Sequence, residues 1–203
     1  MNTQTTETRL PVATGLILAG GKGTRMAMQD KGLLKLAGKT LVEIKVASLA
    51  SQVNDIIISA NRNLETYNTL KYPVVVDESN NYSGPLAGIA AAWKICQTDW
   101  LITCPCDTPL LCDDYAQRIL QTTLNNNAQV GVAYDGERAQ NTFLAMHRST
   151  LPSLTTALAQ QNYAVFKWLA VTNHVRVDFS NEQDMFINFN TTEELNHYAS
   201  KLS

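Results

Sequence analysis

A short apolar run, Gly15-Leu-Ile-Leu-Ala19, breaks directly onto Gly20-Gly21, and this constrains the fold more than any other feature of the chain. A stretch that is brief, continuously apolar and stopped by glycine reads as a buried strand feeding a tight turn, here from Thr14 to Ala19. Further runs of the same kind recur with helical patterns between them. Leu41 to Val53 places Val42, Val46, Leu49 and Val53 on one helical face. Asp55–Ala60 and Pro73–Asp77 read as strands, with a short helix over Asn63–Leu70 between them. Leu86–Gln97 is Ala-rich and predicts a helix packed on a sheet, followed by a strand at Trp100–Thr103 and a helix over Asp113–Asn125. Gln129–Tyr134 and Thr142–Met146 predict two strands across a polar Asp135–Asn141 loop. Thr150–Gln160 and Tyr163–Ala170 predict helices, Val175–Phe179 a strand, and Thr191–Leu202 a final helix with Glu193 and Glu194 in its first turn.

Strand–helix alternation in the first half argues for an α/β fold, a three-layer α/β/α arrangement around a mostly parallel sheet. Ligands of such sheets bind beyond the carboxyl ends of the strands. The 203 residues suit one domain, read as 14–203 after a flexible segment 1–13, and a chain of this length can bury roughly 70% of its unfolded surface without staples. A composition of 45% hydrophobic and 17% charged residues excludes a disordered chain. The net charge of −2 argues against nucleic acid as a main partner. No apolar stretch approaches the ~20 residues of a membrane helix, and the N-terminus lacks the basic and apolar regions of a signal peptide, so a cytoplasmic protein off the membrane is expected. The four cysteines, Cys96, Cys104, Cys106 and Cys112, form no C-x-x-C pair and have no histidine at zinc-finger spacing, as buried thiols of a reducing compartment would not.

The residues able to carry chemistry gather after the predicted strands. Gly20, Gly21 and Gly23 let backbone N–H groups approach a ligand, and Lys22, Arg25 and Lys31 surround that turn with cations. The pattern is neither a Walker A loop nor a dinucleotide fingerprint, since Met26 stands where the third glycine would be. The same glycines also suit a plain strand-to-helix turn. Asp107, held between Pro105 and Pro109, is placed for Mg²⁺, which prefers oxygen ligands; a helix cap is the alternative. Asp77 ends a strand before the polar loop Glu78–Ser83 and Gly84-Pro85-Leu86, and is equally a turn residue. Ser59 and Asn61 offer donors and acceptors that suit a base edge or an Asx turn. Asn188 and Asn190 put two amides on one side of an extended segment, with Asn190 also a candidate helix cap. His147, His174 and His197 are too scattered to act together, a His174–Cys106 dyad has no support, and no Gly-x-Ser-x-Gly elbow exists. The aromatics Phe166, Trp168, Phe179, Phe186 and Phe189 are expected in the core.

Taken in order, Leu-Ala-Gly-Gly-x3-Arg-Met (18–26), Asp-Lys-Gly-Leu (30–33), Ile-Ser-Ala-Asn-Arg-Asn (58–63), Gly-Pro-Leu-Ala-Gly (84–88), Pro-Cys-Asp-Thr-Pro (105–109), Val-Asp-Phe (177–179) and Asn-Phe-Asn-Thr-x-Glu-Glu-Leu (188–195) resemble the molybdenum cofactor guanylyltransferases. The resemblance implies a Rossmann-like fold of the nucleotide-diphospho-sugar transferase type. It implies transfer of GMP from GTP to Mo-molybdopterin with release of pyrophosphate, Mg²⁺ as cofactor, and molybdopterin-delivering and molybdoenzyme maturation proteins as partners. It also implies nucleotide contacts at Leu18, Ala19, Gly20, Gly21, Lys31, Ser59, Asp77 and Asp107, metal binding at Asp107, and catalytic charge from Arg25, Lys31 and Asp107. Gly84, Pro85, Leu86, Asn188 and Asn190 are the candidates for the pterin or phosphate side. The chain departs from the family at Ala27-Met28, where Gly-Gly is usual, and at Thr40 and Thr192, each in place of a usual Pro. A related cytidylyl- or sugar-phosphate nucleotidyltransferase shares the glycine loop, and a non-catalytic nucleotide-binding protein is the remaining alternative.

Overall fold

The computed structural model describes residues 10–20, 30–77, 84–189 and Glu194. In chain order the strands are β1 (Ala13–Leu18), β2 (Lys35–Leu36), β3 (Lys39–Thr40), β4 (Asp55–Ser59), β5 (Val74–Val75), β6 (Trp100–Pro105), β7 (Val130–Tyr134), β8 (Ala139–His147) and β9 (His174–Asp178). The helices are α1 (Leu41–Ala50), α2 (Leu64–Asn68), α3 (Gly84–Trp93), α4 (Tyr115–Asn125), α5 (Leu151–Ala159) and α6 (Val165–Leu169). The final helix expected at Thr191–Leu202 lies outside the described residues except for Glu194.

Among the described residues, seven strands form one sheet in the order β5-β4-β1-β6-β8-β7-β9. β1 pairs in parallel with β4 on one side and β6 on the other, and β4 with β5. β8 is antiparallel to both β6 and β7, while β9 returns parallel to β7. The mostly parallel sheet read from the sequence is therefore present, with β8 as its reversed member. The reversal follows from the short Asp135–Arg138 turn, whose Asp135 carboxylate accepts the N–H groups of Glu137 at 2.8 Å and Arg138 at 2.7 Å. A link of that length permits a hairpin but no crossover.

Both faces of the sheet are covered, which is why its central strands are continuously apolar rather than alternating. Ile17, Ile56, Ile58 and Ile102 point into one core layer with Val42, Val46 and Leu49 of α1 and Ile119 and Leu120 of α4. Leu16, Ile57 and Leu101, one residue out of phase, point into the other with Leu86, Ile89 and Trp93 of α3, Leu154 of α5 and Trp168 of α6. The expected core aromatics Trp168, Phe179, Phe186 and Phe189 are buried, whereas Phe166 is 61% exposed. Helix α6 is only five residues long, so one turn faces the core and Phe166 falls on the other side.

Three local differences from the sequence reading have physical causes. The third strand contracts to Val74–Val75 because it is the sheet's edge, paired on one side alone. The helix expected from Leu86 starts two residues earlier, at Gly84 with φ +70°, and ends at Trp93. The hairpin β2–β3 was not read from the sequence; Ala37 and Gly38 both take positive φ, 50° and 84°, which matches a two-residue primed turn. That hairpin delivers Thr40 to the start of α1. Thr40 forms a full capping box there, accepting the Glu43 N–H at 3.3 Å while the Glu43 carboxylate accepts the Thr40 N–H at 2.7 Å. The Thr40 hydroxyl, which donates to the Glu43 carboxylate at 2.7 Å, and after it the Thr40 N–H lower the Glu43 carboxyl below its ordinary range. Thr40→Ala is expected to lower the melting temperature by about 3 °C in a thermal melt, the loss typical of an N-cap in a chain of this size.

Candidate active site

Strand order places the site. After β1 the chain moves to β4 on one side and later to β6 on the other, so the carboxyl end of β1 is a topological switch point. Leu18, Ser59 and Pro105 end these three strands in register, and their loops start side by side. The Ala19 N–H donates to the Ser59 carbonyl at 2.8 Å, and the Cys106 N–H to the Leu18 carbonyl at 3.1 Å. These bonds occupy backbone groups of Leu18 and Ala19 within the sheet and leave Gly20 as the exposed member of the trio Leu18, Ala19 and Gly20.

On the β4 side, the Ser59 side chain is 3% exposed and turned under α3, where a Cβ on Gly88 would collide with its hydroxyl. The polar group facing Gly20 is instead Asn61, whose Nδ2 would lie 3.1 Å from a Cβ placed there. Asp77 fixes that amide from both ends: Asn61 Nδ2 donates to the Asp77 carboxylate at 2.9 Å, and the Asp77 N–H donates to Asn61 Oδ1 at 2.9 Å. The sequence signal for Asn61 was its place two residues beyond Ser59, yet the resemblance drew attention to Ser59 rather than to it.

On the β6 side, Lys31 Nζ stands 3.1 Å from Asp107 Oδ2, the two side chains being 35% and 21% exposed. Residues 76 positions apart in sequence thus form a half-buried ion pair at the mouth of the sheet. The Phe189 N–H donates to the Asp107 carbonyl at 2.8 Å, and the Phe189 ring packs with Leu34 and Leu41. The Asn188 segment is thereby brought from the far end of the chain to the Asp107 loop, with Asn188 exposed beside it. At the start of α3, Gly84 is exposed and Pro85 partly so, while the Leu86 side chain is fully buried in the core. Gly21, Arg25 and Asn190 lie outside the described residues, as does the loop Glu78–Ser83.

Among the described residues, no cysteine near Asp107 is poised as a nucleophile. Burial pushes the Cys106 thiol well above its ordinary range, the neighbouring Asp107 charge adding to the effect, and pushes Cys104 up to about 11. Cys112 is pushed up to about 12, again by burial first. The His174–Cys106 dyad does not form, since His174 opens the outermost strand and Cys106 follows the central β6. His147 packs against Trp100 with ring centroids 5.0 Å apart and tilted by 60°, at the other end of β6.

Among the described residues, no three His, Cys, Asp or Glu side chains converge to cage a metal. A small hard cation that arrives with phosphate oxygens and water as its other ligands needs few protein donors, and the partly exposed Asp107 carboxylate beyond the end of β6 is a donor of the right kind. The residues present fit a nucleotide-borne divalent cation and do not fit a self-contained structural one. Among the described residues, no helix is long and apolar enough to cross a membrane.

Gly20 at the switch point of a mostly parallel sheet, with Lys31 and Asp107 paired beyond the end of the neighbouring β6, is an arrangement suited to holding a nucleotide's phosphates, and the relatives of the chain are nucleotidyltransferases. The chain matches the MobA-like NTP transferase domain over residues 15–176. It is 39% identical over 201 residues to the molybdenum cofactor guanylyltransferase of Vibrio cholerae, spanning 98% of both chains. It is 38% identical to that of Shewanella woodyi, spanning 93% of this chain and 96% of the other. Its fold is similar to the crystal structure of molybdopterin-guanine dinucleotide biosynthesis protein A from Archaeoglobus fulgidus, with a TM-score of 0.76 at 19% identity over 93% and 97% of the two chains. The chain belongs to the MobA-like NTP transferase family, among the molybdenum cofactor guanylyltransferases.

Proposed function

We propose that this enzyme transfers GMP from GTP to Mo-molybdopterin. What carries the reading is the Lys31–Asp107 pair at the sheet's carboxyl end, in a chain that matches a guanylyltransferase over 98% of its length. A terminal phosphate oxygen of the pterin attacks the α-phosphorus of GTP. A new P–O bond forms, the bond to the bridging oxygen of the β-phosphate breaks, and pyrophosphate leaves with that electron pair. The acceptor brings its own nucleophile, so the chain's work is positioning and charge neutralisation.

In this reading Lys31 exchanges its carboxylate partner for phosphate oxygens, aided by Arg25, while Gly20 and Gly21 let the backbone approach the nucleotide. Asn61, held flat by Asp77, lies along the base with Ser59 behind it. Gly84, Pro85 and Leu86 at the head of α3, with Asn188 and Asn190, border the acceptor side. Mg²⁺ would be held by Asp107 and would supply positive charge to the phosphates and the departing pyrophosphate. Pterin-delivering and molybdoenzyme maturation proteins are the proposed partners, in the cytoplasm.

The cytidylyltransferase reading survives on one observation: the fold is similar to 2-C-methyl-D-erythritol 4-phosphate cytidylyltransferase of Thermus thermophilus, at a TM-score of 0.70 and 12% identity over 92% and 97% of the two chains. Pyrophosphate release with molybdopterin and each nucleotide decides between the two. GTP is expected to exceed ATP and CTP by roughly 10²-fold in kcat/KM, because a site hydrogen-bonded to one base edge is left with unpaired polar groups by another. Comparable turnover with CTP would move the chain to the cytidylyl reading.

A further inference from the structure

We propose that Asp30, Tyr67 and Asn63 form a brace that ties the base-side loop to the phosphate lysine, with Tyr67 and Asn63 acting as positioning residues for Lys31. The inference rests on the reading of Lys31 as a phosphate contact. Asp30 immediately precedes Lys31, and its carboxylate collects three donors among the described residues. The Tyr67 hydroxyl donates to Oδ1 at 2.8 Å, the Gly32 N–H to Oδ1 at 3.2 Å, and Asn63 Nδ2 to Oδ2 at 3.0 Å. The Gly32 bond closes the backbone turn on which Lys31 sits.

The other two donors come from a different part of the chain. Asn63 ends the loop that starts at Ser59 and carries Asn61, and it takes a left-handed φ of 50° as it reaches Asp30. Tyr67 is fully buried on α2 and reaches Asp30 past Gly32. A Cβ on Gly32 would collide with the Tyr67 hydroxyl and lie 3.2 Å from Cys106 Sγ, so glycine is required for the bond to exist. Burial, reinforced by the nearby acidic groups, keeps the Tyr67 hydroxyl protonated, so it remains a donor. One carboxylate therefore links the loop facing Gly20 to the turn that aims Lys31 at Asp107. A hydrogen bond to a charged group of this kind is strong enough to hold such a turn.

The test is a double-mutant cycle on the full chain, read as kcat/KM for pyrophosphate release from GTP and molybdopterin, with thermal melts of every variant. Tyr67→Phe deletes the hydroxyl and keeps the ring. Asn63→Gly deletes the amide and still accepts the left-handed backbone. Each is expected to lower kcat/KM roughly 10-fold in the wild-type background and less than about 2-fold in a Lys31→Ala background, because a residue acting through Lys31 has nothing left to position. The shift in melting temperature should be the same in both backgrounds. Equal fold-losses with and without Lys31, or no loss from either substitution, overturn the brace alone. Wild-type activity in Lys31→Ala itself overturns the phosphate assignment, and the brace with it.

Discussion

Asp107→Ala is expected to reduce kcat for pyrophosphate release by 10²-fold or more, with a much smaller change in GTP affinity. The carboxylate stands at the end of β6, where the strand's hydrogen bonds to β1 hold its backbone and the Phe189 N–H fixes its carbonyl. Nucleotide affinity comes from many contacts, whereas charge at the leaving pyrophosphate matters most as the bond breaks. A group that acts there costs turnover before binding. Removing the carboxylate also frees Lys31 from its ion pair, which works in favour of ground-state binding and widens the split between kcat and affinity. Titration with a fluorescent GTP analogue alongside turnover at saturating Mg²⁺ makes the comparison. Wild-type turnover under those conditions overturns the metal assignment.

Lys31→Ala is expected to lower kcat/KM by about 10²-fold, with GTP binding and transfer damaged together. A cation on phosphate stabilises both the bound nucleotide and the transition state, and this variant additionally leaves the Asp107 carboxylate without the ammonium that faces it at 3.1 Å. Lys31→Arg keeps the charge but not its geometry, so it should recover only part of the loss. Lys22→Ala, outside the matched pattern, should be milder. The opposite order of damage would show that the wrong lysine has been placed at the phosphate.

Much of the architecture follows from local pattern. Strands with continuous apolar runs, such as Ile56–Ile58 and Leu101–Ile102, declare burial on both faces, and the alternation with helices declares parallel pairing. The i, i+4, i+7 spacing of Val42, Val46 and Leu49 declares the buried face of α1. It does not declare Lys45, whose side chain is fully buried on that helix and whose Nζ donates at 2.9 Å to the Leu110 carbonyl beyond Asp107. A lysine reads as solvated until a carbonyl from another element is placed within its reach. Burial lowers the pKa of that ammonium, an effect equally invisible in the sequence.

The site divides along the same line. As candidates, Gly20, Asp77 and Asp107 are legible because glycine before a loop and a carboxylate after an apolar run are signals carried by a few neighbouring positions, while Lys31 is legible through the Asp-Lys-Gly-Leu segment. Their arrangement is not, because it depends on which strands become neighbours. The choice of Asn61 over Ser59 as the side chain against Gly20 turns on where the strand ends: Ser59, the last residue of β4, points under α3, while Asn61, which strand alternation would put on the same face, lies past the strand end and is captured by Asp77. The pairing of Lys31 with Asp107 likewise requires β1 and β6 to lie side by side, and the reach of Asn63 and Tyr67 to Asp30 requires α2 to pack over the Lys31 turn. Residue type and short-range spacing specify which chemistry the chain carries. Contacts across 16 to 76 positions are set by sheet order and packing, because their free energy exists only once distant segments have paid the entropy of meeting.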